Sequence, residues 1–357
     1  MNELEQRIHN EIAKKGGIPF SRFMEMALYE PGLGYYETHR EVGRGGDFYT
    51  NVSVGSLFGE LLAFQFADWL AEMDGPVQLV EAGAHDGQLA RDVMTYLRDL
   101  RPAIYQRCEL VLWEPSSLHR KWQAETLCDF ESKVNWAKEG GAFRGVFYCN
   151  ELLDACPVDR FIWNQEQQRW NLSVIHSNEG NFEWGVQHLP NESKPKRYGL
   201  LDLETEIAPE KIPDGFVYVS GDYEIWESMS DALKEGRALA VDYWTSPKQA
   251  IEAPTKNGSL RGYFQHHLVE DVLERPGQID ITASVNEAFL NARTSLGGLE
   301  RKPLARQSSF LVGILEQTMK RPEQFPEWTD ERTRQFQTLV HPEHLGHSFN
   351  VLECWRP

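Results

Sequence analysis

The sequence is short of positive charge. Its 357 residues hold 36 lysines and arginines against 54 aspartates and glutamates, a formal net charge of −18. Nucleic acid is a poor partner for such a chain, because phosphate binding needs a concentrated basic face. A cationic partner suits its field better. Cysteine is also sparse: Cys108, Cys128, Cys149, Cys156 and Cys354 are odd in number, scattered, and never spaced C-x-x-C. That usage fits a reduced intracellular compartment. No run of 18 apolar residues occurs, so no membrane span is expected. The opening MNELEQRIHNEIAKKGG mixes acids with bases and has no apolar stretch, unlike a signal or transit peptide, so a cytoplasmic location is expected. HPEHLGH carries His341, His344 and His347, but Pro342 and Gly346 break any helical face and no H-E-x-x-H accompanies them. No metal site is expected.

The chain is well supplied with core-forming residues. Hydrophobic residues make up 41% and include 11 tryptophans. That composition and length suit one large domain with insertions, or two domains. Residues 3–15 read as an amphipathic helix ending at Gly16-Gly17, and Phe20–Leu28 as a second helix capped by Ser21 or a neighbour. YEPGLGYYETHREVGRGGDFYTN, residues 29–51, reads as a long ordered loop, and 55–73 as a strongly apolar helix. That helix suits either the core or a homodimer face. From Pro76 strand and helix patterns alternate: strands at 78–83, 108–115, 134–137 and 145–151, helices at 88–100 and 117–130. Alternation of this kind predicts an α/β fold with a doubly wound parallel sheet. After Asp154 the rhythm changes to a hairpin over 160–175 and a strand over 182–186, followed by a surface loop over 187–215. A helix over 225–236 and a strand over 237–244 resume the core. The expected division is 1–75 as N-terminal helices and a lid loop, 158–224 as a β-rich insertion, and 76–157 with 225–357 as the core. A second insertion falls at about 245–283.

LVEAGAHDGQLA, residues 79–90, is a strand, a turn with glycines at 83 and 87, and the start of a helix. Glycine directly after a parallel strand lets a ligand approach the backbone. The dinucleotide pattern G-x-G-x-x-G is absent. Glu81 before the turn would repel a phosphate and suits a cationic group, while Glu114, ending the next strand, can accept hydrogen bonds from both hydroxyls of a ribose. S-adenosylmethionine, with its sulfonium and ammonium, matches this pair better than a pyrophosphate. In YCNELLDACPV, Asn150, Glu151 and Asp154 follow an apolar strand. They can be read as a helix cap with acids in its first turn. They can also be read as carboxylates that hold a guanidinium in a fork and accept its proton.

A family resemblance spans nearly the whole chain. IPFSRFMEMALYEPGLGYYE, GRGGDFYTN, SLFGELLAF, LVEAGAHDG, NELLDACPV, AVDYW, SLRGYFQHHL and PGQIDITASVN together resemble the MidA family of S-adenosylmethionine-dependent methyltransferases. Ala84, His85 and Asp86 stand where that family usually has proline, glycine and arginine. The resemblance implies a class I, Rossmann-like methyltransferase with an N-terminal lid and inserted elements, S-adenosylmethionine as cofactor, and N-methylation of an arginine on a protein partner. A respiratory-complex subunit is one such partner. Asp47, Phe48, Thr50, Glu81, Gly83, Gly87, Glu114 and Asn150 are the expected cofactor contacts. Asn150, Glu151 and Asp154 are the expected catalytic group, with Asp242, Tyr243 and His266 toward the substrate. A non-catalytic assembly factor with a degenerate cofactor site and a small-molecule methyltransferase remain the alternatives.

Overall fold

Strand and helix alternate from Val77 as the periodicity predicts. The structure is a computed structural model that describes residues 1–40, 50–137, 141–189, 207–265 and 267–357. Its central sheet has eight strands. Across it run Glu300–Arg301, Asn350–Arg356, Leu233–Asp242, Phe143–Asn150, Val77–Ala82, Cys108–Trp113 and Val134–Ala137, with Ala305–Arg306 also on Asn350–Arg356. The five strands from Leu233–Asp242 to Val134–Ala137 are parallel, while Asn350–Arg356 pairs antiparallel to Leu233–Asp242. The sheet is therefore mixed, with a closing antiparallel strand beyond the parallel set.

Helices cover both faces because successive strand residues point opposite ways. Leu79, Val146, Tyr148, Leu239 and Val241 join one apolar cluster with the Leu57–Ala71 and Gln88–Leu100 helices. Val80, Phe147, Cys149, Ala238 and Ala240 join another with Trp226, Met229, Phe289 and Leu290. The apolar 55–73 segment thus lies in the core, its helix running Leu57–Ala71 with eleven buried positions, Leu57 and Leu70 among them.

One helix is shorter than its sequence pattern suggests. It spans Glu224–Ala232, and Leu233–Gly236 already belong to the strand. A Cβ on Gly236 would lie 1.9 Å from the Gly145 carbonyl oxygen. Two backbones approach there as only glycine permits, and that approach outweighs the helical pattern of the preceding residues. Near the N-terminus, Pro19 takes the cap position of the Phe20–Tyr29 helix, while the Ser21 amide donates to Asp159 Oδ1 at 3.0 Å. A short helix, Tyr35–Thr38, interrupts the stretch expected to be loop.

Two smaller sheets come from inserted segments. Val158–Asn164, Arg169–Asn178, Asn181–His188 and Val217–Gly221 form one with the two-residue strand Ile18–Pro19. His267–Val269, Leu260–Phe264 and Asp280–Ala283 form the other. The Ala283 amide donates to the Asp154 carbonyl at 2.8 Å, and the Val285 amide to the Tyr243 carbonyl at 2.7 Å. These two bonds pin the second inserted sheet to the ends of core strands.

Candidate active site

Four parallel strands end on one cavity of about 1240 Å3. It lies where the strand order reverses, beyond the carboxyl ends of Val77–Ala82 and Phe143–Asn150, the usual ligand crevice of open α/β sheets. Glu81, Gly83, Glu114, Thr50, Asn150, Glu151, Asp154 and Tyr243 all line it. Eight residues named from the sequence thus meet in one space.

At one end stands the glycine turn. Gly83 has φ +71, and a Cβ there would meet the Leu152 side chain at 2.7 Å, so the turn packs directly on the NELLD segment. Glu81 is buried at 3% exposure, and its Oε2 accepts from the Tyr148 hydroxyl at 2.8 Å. Burial outweighs that bond and lifts its carboxyl to about 8. Glu114 is more fully engaged. Its Oε1 accepts from the Ser116 amide at 2.8 Å, and its Oε2 contacts Gln123 Nε2 at 3.1 Å and His119 Nδ1 at 3.3 Å. Burial works against charge on His119, but the bond to and charge of Glu114 lift it above the ordinary histidine value. One lone pair of Oε1 remains for a hydroxyl donor.

His85 adopts φ +47, a left-handed conformation that costs a non-glycine residue about 1 kcal/mol. Its Nε2 lies 2.8 Å from the Arg40 carbonyl, and its own carbonyl accepts from Gln123 at 2.9 Å. The ring meets Trp122 and His119 edge-on. His85 therefore ties the turn to the residues ahead of the 41–49 segment. Gly87 stays outside the cavity lining. With φ +87 it opens the Gln88–Leu100 helix, and a Cβ there would touch Gln123 at 3.4 Å, so a glycine keeps this turn close to the Ser117–Thr126 helix.

The other end holds the second carboxylate pair. Glu151 has φ +51. Its Oε1 accepts from the Asn51 amide and from Asn150 Nδ2, both at 3.0 Å. It keeps some exposure to the cavity, yet burial and the nearby Asp154 lift its carboxyl to about 8. Asp154 is 5% exposed. Burial raises it to about 6, with Arg261 opposing the rise.

Asp242 was expected to face the substrate, and the structure corrects this. It is 0% exposed. Its Oδ2 accepts from the amides of Leu152, Leu153 and Asp154 at 3.2, 2.8 and 3.3 Å, and its Oδ1 from the Tyr243 amide at 2.8 Å. It fixes the turn that carries Glu151 and Asp154. Asp47, Phe48 and His266 lie outside the described residues.

Several residues in or directly behind the cavity wall were not singled out from the sequence. His119 and Gln123 sit one turn apart on the Ser117–Thr126 helix beside Glu114. Asn51 is 0% exposed and bridges Glu151, Asn150 and Gln307. Tyr36 donates to Asp280 Oδ1 at 2.8 Å. Arg261 and Tyr263 alternate along one strand and both line the cavity. That period-2 spacing was the available signal, visible in SLRGYF.

The donor set fits a cationic adenosine cofactor. Glu81 and Glu114 flank the turn and disfavour a pyrophosphate, Glu114 keeps an acceptor position for a hydroxyl, and the glycine at 83 keeps the backbone bare. Fold and site together define a class I methyltransferase. The chain belongs to the S-adenosyl-L-methionine-dependent methyltransferase family whose model matches residues 61–301. It is 25% identical to zebrafish (Danio rerio) mitochondrial protein arginine methyltransferase NDUFAF7, across 96% of this chain and 85% of that protein. With the human NDUFAF7 it shares 26%, across 95% and 80%. A crystal structure of a Burkholderia thailandensis protein bound to S-adenosyl-homocysteine superimposes with a TM-score of 0.81 at 24% identity, covering 99% of this chain and 92% of that one. The expected cytoplasmic location is overturned by the zebrafish and human relatives, which are mitochondrial proteins.

Proposed function

We propose that the protein methylates a guanidinium nitrogen of an arginine on a protein partner. The observation that carries this reading is the pair Glu151 and Asp154, two acids on one turn that face the cavity and are held by Asp242 and Asn51. The names of the zebrafish and human relatives, protein arginine methyltransferases, support it. S-adenosylmethionine supplies the methyl group when bound. Glu81 would take its ammonium, Glu114 its ribose, and Gly83 would let it lie against the turn.

The chain's own groups then orient the acceptor. A guanidinium is a poor nucleophile because its charge is delocalised and its proton tightly held. A carboxylate on either side localises that charge on one edge of the group and aims the opposite nitrogen. The same carboxylates can take the proton that nitrogen releases. Tyr29, Tyr36, Tyr243 and Tyr263 line this part of the cavity and narrow it around a flat cation.

The test uses cofactor carrying a labelled methyl group with a basic peptide containing one arginine, and the same peptide with lysine instead. Label is expected in the arginine peptide alone. Asp154→Asn is expected to lower the rate about 100-fold or more while cofactor affinity stays within about threefold. Equal labelling of both peptides, or full turnover by the variant, would sink the reading.

A further inference from the structure

Arg261 is the odd residue in this acid-lined space. Among the cavity's arginines, Arg22 is paired with Glu11 and Glu25, and Arg40 with Glu125. Arg261 has no carboxylate within ion-pair distance among the described residues, and its buried Nε has no hydrogen-bond partner. Its Nη2 donates to Ser284 Oγ at 3.1 Å, and its guanidinium carbon lies 5.1 Å from the Tyr243 ring centroid. Both anchors belong to the inserted segment or the core strand end beside the acceptor turn. The sheet that carries Arg261 is itself bonded to Asp154: Leu260 pairs with Ala283, whose amide donates to the Asp154 carbonyl. The insertion therefore brings one fixed cation into the end of the cavity that holds the two acceptor acids.

We propose that Arg261 is a positioning residue that assigns the negative charge of the acceptor site to Asp154 in preference to Glu151. The inference rests on the arginine-methylation reading. Asp154 stands beside two further acids, both raised by burial, and one fixed opposite charge. Glu151 shares its turn, and Asp242 sits behind it with both oxygens on backbone amides. Asp280, bonded to Tyr36, faces from the inserted sheet. The hydroxyls of Tyr29, Tyr36 and Tyr243 and the Cys156 thiol, the other titratable groups around it, are all kept protonated by burial. Arg261 is the cation that opposes burial at Asp154, whereas hydrogen bonds from Asn51 and Asn150 oppose it at Glu151. A site with one charged and one neutral acid has distinct roles for each. The acceptor nitrogen forms its bond to the methyl carbon as the carbon–sulfur bond breaks with its pair left on sulfur. The proton shed by that nitrogen passes to Asp154, and neutral Glu151 donates or accepts a single hydrogen bond.

The test compares wild type, Arg261→Lys and Arg261→Met. In the arginine-peptide assay, the acidic limb of kcat/KM is expected near pH 6 in wild type and about one pH unit higher in Arg261→Met. That shift is about a fivefold loss at pH 6 and little change at pH 9. Arg261→Lys keeps the charge and is expected to restore most of the limb, which a merely structural role would not do. Independently of turnover, the Asp154 carboxyl can be followed by carbon-13 NMR in aspartate-labelled protein, its resonance identified by loss in Asp154→Asn. It is expected to titrate at higher pH in Arg261→Met. Coincident limbs and coincident titrations in the three proteins would overturn the assignment. A moved titration in a protein that never methylates arginine would sink the functional reading and leave the Arg261 assignment standing.

Discussion

Replacing Glu81 by glutamine tests how the cavity tells a cationic cofactor from other nucleotides. Glu81 is 3% exposed, and its carboxyl is lifted by burial to about 8. At pH 7 about nine carboxyls in ten are therefore protonated before any ligand arrives. Binding an ammonium against it requires the proton to leave. Apparent cofactor affinity is expected to rise nearly tenfold per pH unit between roughly pH 5.5 and 6.5, and less steeply up to pH 7.5. It should flatten near pH 8 and fall above it, as the cofactor's own amino group, ordinarily near 7.7–8.0, loses its proton. Calorimetry at pH 7 in buffers of different ionisation heat should show about 0.8 proton released per cofactor bound, the Glu81 proton less the fraction taken up by the cofactor's amino group. In Glu81→Gln the rising limb and the proton release disappear, and affinity at pH 8 falls about 10–100-fold, the worth of a charge-assisted bond. Stability moves too. An acid raised in the folded state keeps its proton between its unfolded value of 4.5 and about 8, so folding weakens as pH rises through that window. The slope is about 1.4 kcal/mol per pH unit per group. Glu151, also raised to about 8, adds a slope of the same sign. Asp242 and Asp154, also raised by burial, add to it, so Glu81→Gln should make the unliganded melt less pH-dependent between pH 5 and 8 without abolishing that dependence. Wild-type affinity that stays flat from pH 5.5 to 7.5, with buffer-independent heats, would refute this account of Glu81.

Two further substitutions probe the supports of the site. Asp242→Asn turns an N–H2 toward amides that now share a carboxylate, which should cost about 3 kcal/mol and lower the melting temperature by several degrees. Methyl transfer should fall more than cofactor affinity, since the turn carrying Glu151 and Asp154 loses its clamp; equal losses in both would contradict that role. His85→Gly relieves about 1 kcal/mol of backbone strain and loses a hydrogen bond of similar worth to the Arg40 carbonyl. Melting temperature and cofactor affinity should change little, and a gain of about 100-fold in cofactor affinity would mean that the imidazole obstructs the site.

The parts of the fold that the sequence predicted are those governed by local period. Gln88–Leu100 and Val134–Ala137 fall where the pattern puts them, because a 3.6-residue or two-residue repeat is visible within a dozen positions. Glu81, Glu114 and Glu151 were legible for a related reason: a carboxylate just beyond an apolar strand stands at the carboxyl edge of a parallel sheet. Asp242 obeyed the same positional rule and was misread. Whether a strand-end acid faces the cavity or turns back to collect amides depends on the neighbouring turn, here Leu152–Asp154. Asn51, Asp280 and Arg261 were harder still. They join the site only because Asn51 bonds Glu151 from 100 positions away and Ala283 bonds the Asp154 carbonyl from an inserted sheet. Contacts of that sequence separation leave no periodic trace.

The acids at the two ends of the cavity change what the chain's negative charge means. A net charge of −18 suggests a surface that draws cations by standing charge. Inside the cavity, Glu81 and Glu151 are both lifted by burial to about 8, so near neutral pH they are largely uncharged. A neutral ligand leaves them so and gains only ordinary hydrogen bonds. An anion finds no standing charge at these two acids to repel it and accepts at most an ordinary hydrogen bond from their hydroxyls, while acids that do ionise repel it. A cation alone can displace the Glu81 proton and recover the charge-assisted bond, which is stronger by about 1 kcal/mol or more in a buried setting. At Glu81 the discrimination therefore lies in the exchange of a proton for the cofactor's ammonium, while neutral Glu151 leaves the guanidinium's charge to be met by Asp154. Asp154 works differently: with Arg261 opposing its burial it ionises nearer pH 6, and it can receive a proton at the moment when the acceptor must lose one.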